Sequence, residues 1–120
     1  AEPMATYFDC AHNPQAFSFL KKKILQQKSR YHKIFVLLAM KENKDLLSCV
    51  DIISDAADHL ISPHQLNASL PCTFHQCSTL EQGYHLALQL GKDEDLLVVC
   101  GSFITLAKIQ RLGESMCCES

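Results

Sequence analysis

Three short stretches of this 120-residue sequence combine residue types that could handle an anion, a hydroxyl or a proton. The densest is Asp9-Cys10-Ala11-His12-Asn13-Pro14, which sets a carboxylate, an imidazole and a carboxamide within six residues. An aspartate there can accept hydrogen bonds from a ribose hydroxyl, and a histidine can position or charge-stabilise an anionic transition state. Asp9 and Asn13 are also common caps, so the same residues could simply finish a turn while His12 faces solvent. The second stretch is Gly101-Ser102. Its glycine lets a backbone or ligand come close, and an N-cap Ser102 with the amides behind it forms a seat for a carboxylate, although most Gly-Ser junctions only start a helix. The third is Lys41-Glu42-Asn43-Lys44-Asp45, where Lys41 could meet a phosphate or carboxylate oxygen as a point charge or stay solvated like most loop charges.

Other constellations are weaker. Cys72, His75 and Cys77, with His59 and His64 upstream, are metal-ligand types, but their spacing fits no CxxC or HxxxH pattern. Lys21, Lys22, Lys23, Lys28, Arg30, His32 and Lys33 form a basic run without interleaved aromatics, which reads as the solvated face and last turn of a helix. Eleven Lys+Arg against thirteen Asp+Glu give a net charge of −2, which argues against nucleic acid and acidic membrane surfaces as partners. The longest apolar run, Ile34 to Met40, has seven residues, against roughly 20 for a membrane span. GxxxxGK[ST], GxGxxG, GxSxG and HExxH are all absent, so whatever activates phosphate chemistry lies outside these residues. Seven cysteines, several inside apolar runs, point to a reducing compartment and to the cytoplasm.

The elements that must position these stretches follow from periodicity. Met4 to Asp9, Ile34 to Met40 and Leu96 to Cys100 are strand-length runs, and the last two are apolar on consecutive residues, as in parallel strands covered on both faces. Phe17, Leu20 and Ile24 recur at helical spacing, giving a helix from about Pro14 to Ser29 with Asn13 as N-cap. Further helices are expected over about Lys44 to Ala57, Ser78 to Leu90 with a Ser78–Glu81 capping box, and Phe103 to Leu112. His59 to Ile61 reads as a buried strand and Cys72 to His75 as a short edge strand of open sense. The expected fold is a single α/β domain over residues 1–120: a three-layer sandwich around a mostly parallel, Rossmann-like sheet of about five or six strands, with one possible antiparallel edge strand. Ligands of such sheets collect beyond the carboxyl ends of the strands.

Asp9-Cys10-Ala11-His12-Asn13-Pro14 resembles the D-x-A-H-N-P motif that opens the C-terminal domain of folylpolyglutamate and dihydrofolate synthases, in the Mur ligase superfamily. Ala39 to Asp45 is similar to that family's "gamkdKD" segment, and Leu96 to Phe103 to its "dlvlvtGSly" segment. The three matches run in order across nearly the whole chain.

The resemblance implies an ATP-dependent carboxylate–amine ligase that adds L-glutamate to dihydropteroate or a folate through an acyl phosphate. It implies that Asp9 holds the ATP ribose, that His12 sits beside the glutamate and the reacting phosphate, and that Ser102 binds a glutamate carboxylate. The P-loop and the Mg2+ ligands would lie in an N-terminal ATPase domain preceding these residues. The 120 residues alone would then be inactive, and the whole enzyme is expected to be a monomer. Two departures stand out. No arginine precedes the first strand, where Ala1-Glu2-Pro3 stands, and Asn67 occupies a loop position where the family commonly carries an arginine, whose bidentate grip an asparagine cannot supply. The alternatives are a Mur ligase of peptidoglycan precursor synthesis and a non-catalytic α/β domain that binds a nucleotide or a partner.

Overall fold

The unbroken apolar runs form the centre of one sheet. In a computed structural model of the chain, which describes residues 4–66, 69–101 and 106–112, β1 (Ala5–Asp9) leads through α1 (Pro14–Gln27) to β2 (Ile34–Leu38). α2 (Leu46–Ser54), β3 (His59–Ser62), β4 (Thr73–Gln76), α3 (Leu80–Leu90) and β5 (Leu96–Cys100) follow, and residues 106–112 are again helical. The strand order is β1-β5-β2-β3-β4, and every pairing is parallel. β2 and β5 are buried at all five positions, because each has neighbours on both edges and helices over both faces.

Alternate residues of each strand feed two separate cores. Ile34, Val36, Leu38, Leu96, Val98 and Cys100 pack against Phe17, Leu20 and Ile24 of α1 and against Leu46, Cys49, Val50 and Ile53 of α2. Phe35, Leu37, Leu97 and Val99 face the other way, onto Tyr84 and Ala87 of α3 and onto Ile109. Each fully buried Leu, Ile or Phe among them contributes about 1.5–3 kcal/mol relative to exposure. This is the expected three-layer sandwich.

Some boundaries differ from the expectation. α2 is shorter at both ends. α3 starts at Leu80, and its cap is shifted by one residue: the Thr79 hydroxyl accepts from the Gln82 amide at 3.1 Å, while the Gln82 side chain accepts from the Ser78 amide. Thr79 and Gln82 therefore do the work foreseen for Ser78 and Glu81. The edge strand β4 is parallel, so the described residues form five strands with none antiparallel. Of the residues between β3 and β4, the described ones, 63–66 and 69–72, form no helix. Leu66, Leu70 and Cys72 of this stretch are packed on the α1/α2 core, covering the sheet where a crossover helix would otherwise sit. The first residues of the last expected helix, Asn67, and the tail from Gly113 lie outside the described residues.

Gly101 follows β5 with φ +134°, a conformation that side chains rarely adopt. A Cβ there would stand 1.8 Å from the Ala39 carbonyl oxygen, because the chain leaving β5 passes directly against the chain leaving β2. Gly101→Ala is expected to lower the unfolding free energy by about 3 kcal/mol or more, through left-handed strain and the backbone clash together. The check is the urea midpoint at unchanged m-value; a loss under about 0.5 kcal/mol would show that the close approach is not part of the folded state.

Candidate active site on the carboxyl edge of the sheet

The pairing register puts three chain-distant turns on one rim. Asp9 is level with Cys100, and Cys100 is level with Leu38, so the Asp9–Pro14 turn, the Gly101 turn and the Lys41 loop all leave the sheet at the same height. The Ala39 amide donates to the Cys100 carbonyl at 3.2 Å, extending the β2–β5 contact to this rim. α1 packs on one face of the sheet and Ile109 on the other. The chain therefore departs to opposite sides after β1 and after β5. That divergence is a switch point, where open α/β sheets form their ligand crevice.

Within the first turn, Asp9 and Asn13 both perform capping work. The Asp9 carboxylate accepts the Ala11 amide through Oδ1 at 2.9 Å, which folds the chain back over the strand end. Asn13 is extended and accepts the Ala16 amide at 2.9 Å, with Pro14 opening the helix behind it. Asp9 therefore does its capping work with one of its two carboxylate oxygens. Its second oxygen, Oδ2, lies 3.4 Å from the Tyr7 hydroxyl and 3.9 Å from Lys23 Nζ. The carboxylate is about one-fifth exposed, open enough to accept a further donor.

His12 is exposed, and its Nδ1 lies 3.0 Å from the Cys10 carbonyl oxygen. A carbonyl only accepts, so Nδ1 carries the proton in this contact and Nε2 is left as the available acceptor. Lys41 is exposed on the neighbouring turn. Ser102 lies outside the described residues; Gly101, immediately before it, is on the same rim.

The metal-type residues are dispersed. His59 and His75 meet on adjacent strands, Nδ1 to Nε2, at 3.1 Å, and the His59 ring stacks on Phe35 with centroids 4.6 Å apart. His64 is at the opposite end of β3, on the carboxyl side. Among the described residues no group of three or more His, Cys, Asp or Glu could hold a metal ion. Cys49, Cys77 and Cys100 are buried. Burial, with a smaller push from Asp45, raises Cys49 to about 11, and burial raises Cys77 and Cys100 as well, so these thiols behave as small apolar groups and not as nucleophiles.

Sequence reasoning missed the role of His64. Its buried Nε2 accepts the Met40 amide at 3.1 Å, and its Nδ1 faces Glu42 at 3.4 Å. The signal available was a polar residue two positions beyond a buried strand, which cannot be satisfied there without a backbone partner.

The all-parallel, doubly wound sheet with a D-x-A-H-N-P turn at its switch point is similar in fold and motif to a domain of Mur-type amide ligases. The particular likeness is to bifunctional folate enzymes. The chain is 30% identical over 117 residues to the dihydrofolate synthase/folylpolyglutamate synthase of Buchnera aphidicola, covering 87% of this chain and 28% of the relative. Its fold matches E. coli FolC in complex with ADP at a TM-score of 0.77, with 22% identity over 97% of this chain and 30% of that one. It also matches the Yersinia pestis folylpolyglutamate synthase/dihydrofolate synthase complexed with AMPPNP and Mn ion, at a TM-score of 0.72 and 23% identity over 88% of this chain and 28% of that one. No family model matches. The chain spans less than a third of the length of each of these relatives, and the resemblance first seen in three motifs extends along the sequence and through the fold.

Two outcomes follow from this local chemistry. Asn13→Ala should cost about 1 kcal/mol by removing the α1 cap, seen as a lowered urea midpoint, whereas Asn13→Asp should stay near the parent. Burial first, then the neighbouring His75 and Lys33, hold His59 below its ordinary value of 6.5, against weaker pulls from Asp58 and Asp95. Below that value the unfolded chain takes up a proton that the folded chain resists, so stability should fall with acidification from the His59 unfolded value downward. Urea midpoints between pH 7.5 and 5.5 should show this slope, and His59→Gln should flatten it; an unchanged slope would contradict the assignment.

Proposed function

We propose that this chain is the glutamate-ligase domain of a longer, ATP-dependent carboxylate–amine ligase that adds L-glutamate to dihydropteroate or a folate. One observation carries the reading: the sheet register aligns the Asp9–His12 turn, the Gly101 turn and the Lys41 loop on a single rim at the switch point. The likeness to the Buchnera enzyme and to the nucleotide complexes from E. coli and Y. pestis supports it.

In this reading the Asp9 Oδ2 accepts a ribose hydroxyl of ATP while Oδ1 keeps the turn folded around the Ala11 amide. His12 sits beside the reacting phosphate and presents its Nε2 lone pair to the incoming amine, whose proton it can accept, its Nδ1–H being tied to the Cys10 carbonyl. Ser102 binds a carboxylate of glutamate, and Lys41 meets a phosphate or carboxylate oxygen. ATP phosphorylates the acceptor carboxylate; the amine then attacks that carbonyl carbon and phosphate leaves. Among the described residues no donor set could hold a metal ion; Mg2+ is assigned, by resemblance, to an N-terminal ATPase domain of the same chain, and no step depends on it. Closure of that domain onto this rim would exclude water from the activated carboxylate and align the amine. The enzyme is assigned to the cytoplasm as a monomer; among the described residues no helix is long and apolar enough to cross a membrane.

The test is glutamate-dependent ADP release by the full-length protein with dihydropteroate and with folates. Asp9→Ala should raise the KM for ATP about tenfold or more through loss of a charge-assisted hydrogen bond. His12→Ala should lower kcat by about 10²-fold or more. Ser102→Ala should raise the KM for glutamate about tenfold. Full activity in the Asp9 and His12 variants, or robust turnover by the isolated 120 residues, would refute the reading.

A further inference from the structure

His64 is a buried histidine whose work lies outside its own loop. It follows β3 by two residues, its own amide donates to the buried Ser62 hydroxyl at 3.3 Å, and its side chain is about nine-tenths covered. The Met40 N–H donates to Nε2 at 3.1 Å, so Nε2 is unprotonated and the ring proton sits on Nδ1, which points at Glu42 Oε1 3.4 Å away. Met40 and Glu42 flank Lys41. One imidazole therefore holds the backbone before Lys41 and faces the carboxylate after it.

We propose that His64 is a positioning residue: its neutral imidazole clasps the turn between β2 and α2 to the loop after β3 and thereby fixes where Lys41 stands on the carboxyl rim. The start of the turn is also tied to β5 through the Ala39 amide and the Cys100 carbonyl, but beyond Met40, the His64–Glu42 contact apart, its hydrogen bonds among the described residues are local. Residues 41–44 are all exposed, and the local hydrogen bond from the Asp45 amide to Asn43 Oδ1 ties the turn only to itself. Of the residues flanking Lys41, Met40 is buried and its amide is anchored by a side chain 24 positions away in sequence. An aliphatic residue at 64 would leave that amide without its acceptor, whereas a glutamine can place an acceptor oxygen close to where Nε2 now lies.

The consequence for ligand binding rests on the ligase reading above; the clasp itself does not. The experiment therefore has two arms, both in the full-length protein. In the first, hydrogen exchange of residues 39–45 should accelerate about tenfold or more in His64→Leu, on the scale of one lost buried hydrogen bond. Exchange in β2 and β5 should stay unchanged, and His64→Gln should restore protection to within about threefold of the parent. Unaltered exchange in His64→Leu, or equal loosening throughout the sheet in both variants, would overturn the clasp.

In the second arm, the KM values for ATP and glutamate are measured in His64→Leu, Lys41→Ala and the double variant. If His64 acts through Lys41, the double variant is no worse than Lys41→Ala alone, and kcat changes less than KM. Additive losses would overturn the positioning role even if the clasp holds. A parent protein without ligase activity would overturn the ligase reading and leave the exchange arm to judge the clasp.

Discussion

The insertion of β5 between β1 and β2 is the constraint on which the rest of the molecule depends. Among the described residues Leu96–Cys100 is the strand hydrogen-bonded to both β1 and β2, so the last described strand sets the height of the first two. The fit is tight at its carboxyl end, where Gly101 runs against the Ala39 carbonyl with no room for a Cβ. That contact also makes the rim: were β5 displaced, the Asp9 turn and the Lys41 loop would be separated by the width of a strand with nothing level between them. A residue chosen for backbone shape thus decides where side chains more than thirty positions apart can act together.

The rim's chemistry is built on turn chemistry rather than beside it. Asp9 uses one carboxylate oxygen to fold the chain and keeps the other accessible; His12 uses one ring nitrogen to hold its own loop and keeps the other. In the proposed ligase, such an arrangement would hold a binding group in place with little loss of conformational freedom. The third turn follows the same logic with a borrowed anchor: among the described residues no side-chain hydrogen bond or ion pair holds Lys41, and the Met40 amide before it is held by His64.

Most of the architecture was legible because burial and periodicity speak directly. The consecutive apolar residues of Leu96–Cys100 could only be a doubly covered strand, and Phe17, Leu20 and Ile24 could only be one helix face. The Asn13-Pro14 start of α1 was legible from capping chemistry alone. The sense of β4 was not, because the crossover from Ser62 to Thr73 has no helical period; its covering role rests on the scattered side chains Leu66, Leu70 and Cys72, which have no pattern until the sheet exists. The Ser78–Glu81 box failed for a smaller reason: Thr79 and Gln82 offer the same pair of groups one residue later, and only packing of Gly83 and Tyr84 selects between the registers. Of the proposed site, Asp9, His12 and Lys41 stand out by residue type and turn position, whereas the His64 contacts join loops from two strands and their one local sign is a polar residue two positions beyond a buried strand.

The most direct measurement is a crystal structure of the full-length protein with AMPPNP and L-glutamate. The ribose should lie with a hydroxyl about 3 Å from Asp9 Oδ2, and the glutamate should sit between His12 and the turn at Gly101. A nucleotide bound elsewhere, with the carboxyl ends of β1 and β5 closed off from it, would contradict the account.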